Sequence, residues 1–578
     1  MTVALRIPSA MLLITLLAIA CAAQQAPQSG TLAAPASQTA TPAAAQPLRI
    51  SGTVVNSLTG QPVAAARVAI ARVVQGTDRD ISQSLTTGPD GRFQFTGLTR
   101  GKYSLMAAAR GFSLQYFEHH DPYATAVAVA PDLDSTNLVF RMEPDAAIEG
   151  VVTDDNNEPI QYAIVRLFQR STEDGAQKTM PMNQGQTDDQ GHYHIGHLEP
   201  GTYYLAVSAR PWYAQNTRPG RVSSTYDEYI KQYNSPSQLG SSETALDVTY
   251  PLTFYSGALD SADATPLQLT PGERATADMS LHATPSLHLR IHTGAAESPA
   301  LGRMIFPHVS QRIFEGYVDS VSNAPDSWVA PGVIEISGLA PGHYIIEVPA
   351  GTGGNDKANS RDWYRDIDLT SDTDINIADS PGFVNVSGTI LFPAHVPQHV
   401  SVQLSNPVTG ESFHSDIDQR GEFDFKSDNV RPGRYAIGLE ATGGYTLEKL
   451  AATGAKVAGR TIEIGNNANV RISGIATHGA GQVTGTAMRE GDRFSGAMIV
   501  LVPQDPGNNL PLFRRDQSDS DGTFTLANVV PGQYTVLAIA NGWDLEWANP
   551  TVLQPYLKSA QTVQVPSGGK LDVKVQVQ

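Results

Sequence analysis

The sequence predicts an all-β protein built from about five small domains in series, and two recurring patterns support this prediction. The first pattern is a tight turn, an alternating strand, a second turn and a closing Gly-x-Tyr. It occurs five times, at Gly91–Tyr103, Gly191–Tyr203, Val333–Tyr344, Gly421–Tyr435 and Gly522–Tyr534. The second pattern is a Gly between strand-forming residues, at a near-constant distance before the first. Paired patterns at this spacing indicate serial folded units and not a solenoid.

Each copy of the closing pattern predicts a half-buried strand between two turns. Phe93 and Phe95 flank Gln94, which is the period of two that places alternate side chains on one face. Pro-Gly, present in four of the copies, fixes one turn residue and supplies positive φ at the next. The constant place of the Tyr predicts a buried packing role like a tyrosine corner for Tyr103, Tyr203, Tyr344, Tyr435 and Tyr534.

The earlier pattern predicts the first strand of each domain. Its Gly stands at Gly52, Gly150, Gly388 and Gly485. The third copy, Leu287–Ile291, keeps the alternation of strand residues but lacks the Gly. The strand is therefore expected in all five copies and the Gly in four.

Together these residues resemble the carboxypeptidase regulatory-like domain. The resemblance rests on the Gly-containing first strand, the D-x-x-G-x-F-x-F segment and the L-x-P-G-x-Y ending. It implies a transthyretin-like, seven-stranded Greek-key β-sandwich for each copy, as found in arrays in secreted and surface proteins of bacteria. The expected domains span 48–143, 146–282, 285–378, 383–476 and 481–578.

The composition of the chain and its lack of several catalytic motifs argue against some classes of function. The chain has 578 residues, a net charge of −18 and no basic run, which argues against a nucleic-acid partner. Its single Cys excludes a disulfide within a domain. H-E-x-x-H, G-x-S-x-G, a P-loop and the H-x-x-E of zinc carboxypeptidases are all missing. We therefore predict no enzymatic activity and no cofactor.

The N-terminus predicts secretion. Residues 1–20 read as a signal peptide, with Arg6 before the apolar run Met11–Ala20. Residues 21–47 carry no charge and are rich in Ala, Pro, Gln, Ser and Thr, which is typical of a disordered tether. Cys21 opens this tether and is the candidate for lipidation, with ordinary cleavage as the alternative. The expected location is the periplasm or the outer membrane, with a lipid anchor as the sole membrane contact.

Three polar clusters could hold a metal, and each has a plainer interpretation. His192, His194 and His197 lie on a predicted strand, where a solvated face is favoured. The segment Glu118–Asp121 holds two His in one loop, without a third ligand. The Ca²⁺ candidate is the run of carboxylates before a Gly turn, and turn formation is its favoured role. These carboxylates belong to Asp516, Asp519 and Asp521.

The candidate binding residues are aromatic. An insertion in the second domain, Pro211–Tyr255, is rich in Trp and Tyr, and a second aromatic pair follows the fifth Gly-x-Tyr. Such rings stack on sugars, but they could also cover a domain junction. The hypothesis is a non-catalytic binding or scaffolding protein whose partner is a carbohydrate or an envelope protein; a passive spacer and an unrecognised hydrolase are the alternatives. The binding candidates are Trp212, Tyr213, Tyr226, Tyr229, Trp543 and Trp547.

Overall fold

The computed structural model of the chain describes most residues from 48 onward. The described ranges are 48–73, 81–120, 122–172, 175–214, 246–292, 307–315, 317–321, 326–330, 333–348, 363–376, 379, 383–425, 430–441, 445–466 and 469–578. The expected signal peptide, the tether with Cys21, and Tyr226 and Tyr229 lie outside these ranges.

Five β-sandwiches follow one another, as the repeats predicted, and they share one pairing scheme. In each, the first strand pairs antiparallel with the alternating strand before the Gly-x-Tyr turn, and parallel with a strand near the end of the unit. The strand that carries the Gly-x-Tyr belongs to the opposite sheet, where it pairs with the second strand. The chain thus crosses between the two sheets in every unit.

The first sandwich has one sheet of three strands and one of five. The first sheet contains Leu48–Asn56, Arg92–Leu98 and Leu138–Met142. The second contains Arg67–Arg72, Ile81–Thr86, Gly101–Ala109, Phe112–Tyr116 and Val127–Val129. A small hairpin, His119–His120 with Tyr123–Ala124, extends from it.

The second sandwich repeats the scheme with more irregular edges. Its first sheet contains Ala146–Thr153, His192–Leu198, Arg274–Thr276 and Met279–Ser280. The second contains Ile164–Ser171, Lys178–Gln186, Gly201–Ser208, Thr253–Phe254 and Leu267–Leu269. Val248–Thr249 pairs with Thr284–Pro285, next to the link to the third sandwich.

The third and fourth sandwiches have similar sheets. The third contains Leu287–His292, Asp326–Ala330, Val333–Leu339 and Thr373–Asn376 facing His308–Phe314, Tyr317–Ser320, Gly342–Val348 and Trp363–Leu369. The fourth contains Asn385–Leu391, Glu422–Asp424, Tyr445–Thr453 and Asn469–His478 facing Ser401–Ser405, Ser412–Asp416, Gly433–Glu440, Ala455–Ala458 and Thr461–Ile464.

The fifth sandwich adds the α-helix of the described chain. Its sheets contain Gly481–Arg489, Asp492–Arg493, Thr523–Val529 and Lys570–Gln576, and Met498–Pro503, Arg514–Gln517, Gly532–Ile539 and Gln561–Val565. The helix is Pro550–Leu557. Asn549 is its N-cap residue, and the Asn549 side chain accepts from the Thr551 amide. Short 3₁₀ turns lie at Ser261–Asp263, Pro506–Asn508 and Leu510–Leu512.

Each sandwich has its own hydrophobic core, and the five repeated Tyr lie in these cores. Their exposed fractions are between 0% and 3%, which confirms the predicted packing role. In every copy the phenol donates to the backbone carbonyl of the residue four positions earlier, over 2.8 to 3.0 Å. The hydroxyl therefore meets a partner although the ring is buried. These residues are Tyr103, Tyr203, Tyr344, Tyr435 and Tyr534.

Candidate functional site

The two Trp of the fifth sandwich lie where this unit contacts the first and second sandwiches. The Trp543 ring stacks on His120, with centroids 4.6 Å apart and planes 9° from parallel. The Trp547 indole donates to the Thr172 carbonyl over 2.9 Å. Thr172 in turn donates its hydroxyl to the Trp543 carbonyl over 3.1 Å. Both rings are half-buried and join three sandwiches.

A buried guanidinium stands between these rings. Arg515 is 9% exposed, and its Cζ lies 4.8 Å from the ring centres of both Tyr123 and Trp547. The ring centre of Trp543 lies 5.7 Å from the same Cζ atom. Cation–π contacts strengthen when the charge is desolvated, so this arrangement holds the hairpin of the first sandwich against the fifth.

The carboxylate run of the fifth sandwich supplies the polar half of the junction. Asp519 forms an ion pair with Lys102 and accepts from the Ala126 amide over 2.9 Å, both in the first sandwich. Lys102 also donates to the Thr523 hydroxyl over 2.7 Å. Asp521 accepts from the amide and hydroxyl of Thr523, within its own turn. All three Ca²⁺ candidates thus have protein partners, since Asp516 accepts from the Thr525 amide over 2.7 Å.

Gln517 completes the contact. Its amide nitrogen donates 2.8 Å bonds to the Glu118 carbonyl and the Thr125 hydroxyl, and its oxygen accepts from His120 Nδ1 at 3.1 Å. We call Lys102, His120, Gln517 and Asp519 the clasp. Its two halves are about four hundred positions apart in sequence, since Lys102 and Asp519 differ by 417.

Burial sets the protonation of two groups here. Desolvation raises the pKa of the Asp516 carboxyl to about 7, helped by the nearby charge of Asp519 and opposed by the Thr525 amide that donates to it. Desolvation also lowers the pKa of His120, which the Gln517 bond opposes. Near neutral pH the junction therefore holds a neutral imidazole and a carboxyl close to its midpoint.

The other His motif, His192, His194 and His197, lies partly on the protein surface and partly against the link between two sandwiches. His192 and His194 are more than half exposed on their strand and lie 3.7 Å from Asp188 and Glu149 respectively. His197 Nδ1 lies 2.8 Å from Asp145, in the link between the first two sandwiches. Within the described part of the chain, no group of three or more His, Cys, Asp or Glu side chains could hold a metal ion.

One Ser, Asp and His arrangement bears on the hydrolase alternative. Asp247 accepts from the Ser286 hydroxyl with one oxygen and lies 2.7 Å from His288 Nε2 with the other. The serine hydrogen thus goes to the carboxylate and not to an imidazole base. Bonding to Glu335 and Asp247 raises the pKa of His288 to about 9 against desolvation, so this His is a cation at neutral pH. A nucleophile needs a neutral base beside it, and this arrangement does not supply one.

The aromatic insertion leaves one large ring in solvent. Trp212 is 87% exposed and meets Tyr213 edge to face, with ring centres 5.8 Å apart. Tyr213 hydrogen-bonds to the buried Tyr250. The first two binding candidates are therefore adjacent, with Trp212 exposed and Tyr213 half-buried, whereas Trp543 and Trp547 are packed in the junction.

Sequence reasoning singled out Asp519, His120 and Trp543 separately, and the structure brings them together. It missed Lys102, Gln517 and Arg515, which complete the junction. Three polar or cationic residues on ordinary strands carry no local signal of an interface. A partner so far away in sequence could be found only from the folded chain.

The first two sandwiches are carboxypeptidase regulatory-like domains. The model of this family matches residues 49–143 and 147–227, and the third to fifth sandwiches share their strand pairing. The protein is thus a tandem β-sandwich protein with two tandem domains of that family. No curated protein matches the chain in sequence.

Several solved structures, pilins among them, are similar to this chain at low identity. The Bacillus anthracis TIE protein is 10% identical, with 94% of this chain and 76% of that chain covered and a TM-score of 0.17. The minor pilin GBS52 of Streptococcus agalactiae is 14% identical over 41% of this chain and 97% of its own, with a TM-score of 0.20. The major pilin BcpA of Bacillus cereus is 11% identical over 75% and 99%, with a TM-score of 0.14.

Among the described residues, no helix is both long and apolar enough to cross a membrane.

Proposed function

We propose that the protein is a non-catalytic binding and scaffolding protein of the cell envelope, and that the Trp212 surface of its second sandwich takes a carbohydrate. The observation that carries this proposal is the 87% exposure of Trp212 beside a fixed Tyr213. A flat ring in solvent offers contact area at low entropy cost, and sugars present C–H faces that stack on it. A partner protein that stacks on the same ring is the second candidate.

The remaining sandwiches act as the support for this surface. The fourth sandwich, for example, holds the third through Arg431, which lies 2.6 Å from Glu347. It holds the fifth through Arg434, which donates to the Gly507 carbonyl over 2.8 Å. Charged groups that could serve chemistry are thus used to join domains. This use favours a scaffold over an enzyme.

The test is the single variant Trp212→Ala, assayed on a glycan array and by unfolding. We expect ligand retention to weaken by roughly 1–3 kcal/mol with an unchanged melting profile, because Trp212 is 87% exposed. The matched control is Trp543→Ala, which should lower the melting temperature because that ring is part of the junction. Early melting of Trp212→Ala would favour a packing role. Wild-type protein that binds no glycan and no envelope protein would favour the passive spacer.

Placement in the envelope rests on Cys21 and the uncharged segment after it. We propose that Cys21 is lipidated and holds the protein at the outer membrane. Cys21→Ser should then move the protein from the detergent phase to the soluble periplasmic fraction. Wild-type protein that is already soluble, with an N-terminus beyond residue 21, would end this proposal.

A further inference from the structure

A cleft of about 340 Å³ lies between the second and third sandwiches. Its walls combine aromatic, amide and charged side chains, among them Tyr162, Arg166, Arg210, Tyr250 and Gln311. This volume is at the lower end of the range for small-ligand sites, which is about 300–1,000 Å³. The cleft is separate from the junction of the first, second and fifth sandwiches.

The cleft has a fixed polar wall. Arg166 forms a 2.7 Å ion pair with Asp319 of the third sandwich and donates to the Ser208 hydroxyl over 2.6 Å. Both ion-pair side chains are less than a third exposed. The pair joins the second and third sandwiches at this wall of the cleft.

One cation of the cleft is not used in this ion pair. Arg210 is exposed, and none of the described residues forms a hydrogen bond or ion pair with it. The charged residues of the lining are Arg166, Arg210 and Asp319. Because Arg166 and Asp319 neutralise each other, the lining carries one net positive charge, on Arg210. A guanidinium in this position favours an anionic group and can take a carboxylate with two parallel bonds.

Tyr162 is the strongest sign of a ligand. Its backbone has a φ of 58°, which is rare for a bulky residue, and its ring is 68% exposed. The same turn recurs in other sandwiches, where the residue at this place donates to the equivalent carbonyl: Ala65 in the first and Gly496 in the fifth. The fold therefore accepts Ala or Gly here. An exposed Tyr in a strained backbone brings no packing gain, which points to a role in binding.

A second aromatic surface lies beside the cleft. Tyr250 lines the cleft and hydrogen-bonds to Tyr213, against which the exposed Trp212 packs. The cleft thus continues into the surface that carries the proposed function. Two flat rings near a fixed set of donors and acceptors suit a molecule with both C–H faces and hydroxyl groups.

We propose that this cleft binds a saccharide unit that carries a carboxylate, with Tyr162 stacked on the sugar ring and Arg210 paired with the carboxylate. The proposal rests on the proposed function and specifies its ligand class and contact residues. A neutral sugar would offer the Arg210 guanidinium no opposite charge. Uronic acids and muramic acid share this chemistry, and the experiment separates them.

The experiment titrates the full-length protein with three probes by calorimetry: tetragalacturonate, a muramic-acid disaccharide peptide, and maltotetraose as the neutral reference. We expect one acidic probe to bind more tightly than maltotetraose. Tyr162→Gly should weaken that binding about tenfold while the melting temperature stays the same or rises, because Gly tolerates positive φ. Arg210→Gln should weaken the acidic probe about tenfold and leave maltotetraose unchanged.

The matched control is His399→Gly, which changes the left-handed residue of the fourth sandwich, with a φ of 55°. It should leave binding unchanged. If an acidic probe binds and Trp212→Ala weakens it but Tyr162→Gly and Arg210→Gln do not, the cleft proposal is wrong while the proposed function stands. If neither acidic probe binds better than maltotetraose, the carboxylate proposal is overturned, and the Trp212→Ala assay decides the proposed function separately.

Discussion

At the scale of single residues, a buried phenol recurs because its hydroxyl can be satisfied locally. In each sandwich the Gly-x-Tyr turn returns the chain so that the phenol reaches a carbonyl four positions earlier. For Tyr203 the acceptor is Glu199, at 2.8 Å. Burial, together with the nearby Glu199 charge, raises the pKa of Tyr203 to about 12, so the hydroxyl remains a donor at any ordinary pH.

Removal of one such hydroxyl should cost stability. Tyr203→Phe keeps the ring but leaves the Glu199 carbonyl without this donor, so we expect a loss of about 1–2 kcal/mol in the free energy of unfolding. Chemical denaturation would measure it. Tyr162→Phe is the control, because that ring is 68% exposed and its hydroxyl reaches water. Equal effects of the two variants would contradict the corner role.

Asp516 should make stability depend on pH. Its pKa is raised from the ordinary value of 3.8 to about 7 in the folded state. Between pH 3.8 and about pH 7 the folded protein therefore binds a proton at Asp516 that the unfolded chain has lost. The contribution of Asp516 to the free energy of unfolding is therefore greatest below about pH 4, falls as the pH rises, and is lost above about pH 7. Asp516→Asn keeps an acceptor for the Thr525 amide without the charge. The free energy of unfolding of this variant, measured as a function of pH, should lack the contribution of Asp516. A pH profile identical to that of the wild type would count against the raised pKa.

At the scale of elements, the Gly of the first strand is explained by two close neighbours. A Cβ on Gly388 would lie 2.3 Å from the Ile472 carbonyl oxygen and 2.5 Å from the Phe423 ring. Gly52 and Gly485 likewise face a carbonyl of the parallel strand, at 2.1 and 2.4 Å, and Gly150 faces the Ala277 carbonyl between two short parallel strands, at 2.3 Å. Each pairs with an aromatic residue on the alternating strand, at Phe93, Tyr193 and Phe524.

In the third sandwich, two aliphatic side chains of intermediate size replace the Gly and the aromatic ring. Ile291 stands where the other copies have Gly, and it pairs with Ile334 in place of the aromatic ring. Both are buried. A pair of Ile side chains fills about the same space as one aromatic ring beside a Gly. This copy can therefore keep the strand without the Gly.

A methyl group at the Gly should therefore be poorly tolerated. Gly388→Ala places its Cβ against a backbone oxygen that cannot move aside, and we expect a loss of about 1–3 kcal/mol. The melting temperature of the fourth sandwich measures it. Gly465→Ala is the control, since no atom lies within 4 Å of its added Cβ. A neutral Gly388→Ala would show that the two strands can separate locally.

At the scale of the whole molecule, the sandwiches are joined by more than their order in sequence. An aromatic cluster holds the second to the third, with Phe168 and Phe254 around Phe314 at 5.0 and 5.4 Å. Arginines link the third to the fourth and the fourth to the fifth. The clasp then returns the fifth sandwich to the first, so the contacts between domains form a closed circuit.

Opening the clasp should separate the first sandwich from the fifth. Lys102→Ala leaves Asp519 largely buried without its cation, and we expect the junction to lose ~1–3 kcal/mol. Small-angle scattering should show a larger radius of gyration, and unfolding should begin earlier. Lys456→Ala is the matched control, because its 3.7 Å pair with Glu463 is mostly exposed. Identical scattering of wild type and Lys102→Ala would show that other contacts hold the circuit.

Repeated turns show how far sequence reasoning can go. Asp188 and Asp418 accept from backbone amides of their own turns, at 2.8 to 2.9 Å, as expected for turn-forming residues. Asp519 occupies the same place in the fifth sandwich, but its carboxylate binds Lys102 and Ala126 of the first. The local sequence is similar in the three turns, so only the neighbouring domain distinguishes their roles.

The sequence by itself determined the all-β class, the repeated strands and the burial of the five Tyr. These features follow from spacing within about a dozen residues, where period, turn chemistry and steric limits act locally. Tertiary structure alone decided the clasp, the packing of Trp543 and Trp547, and the cleft beside Tyr162. Their residues come from different sandwiches, and the free energy of such contacts depends on which surfaces meet after each sandwich has folded.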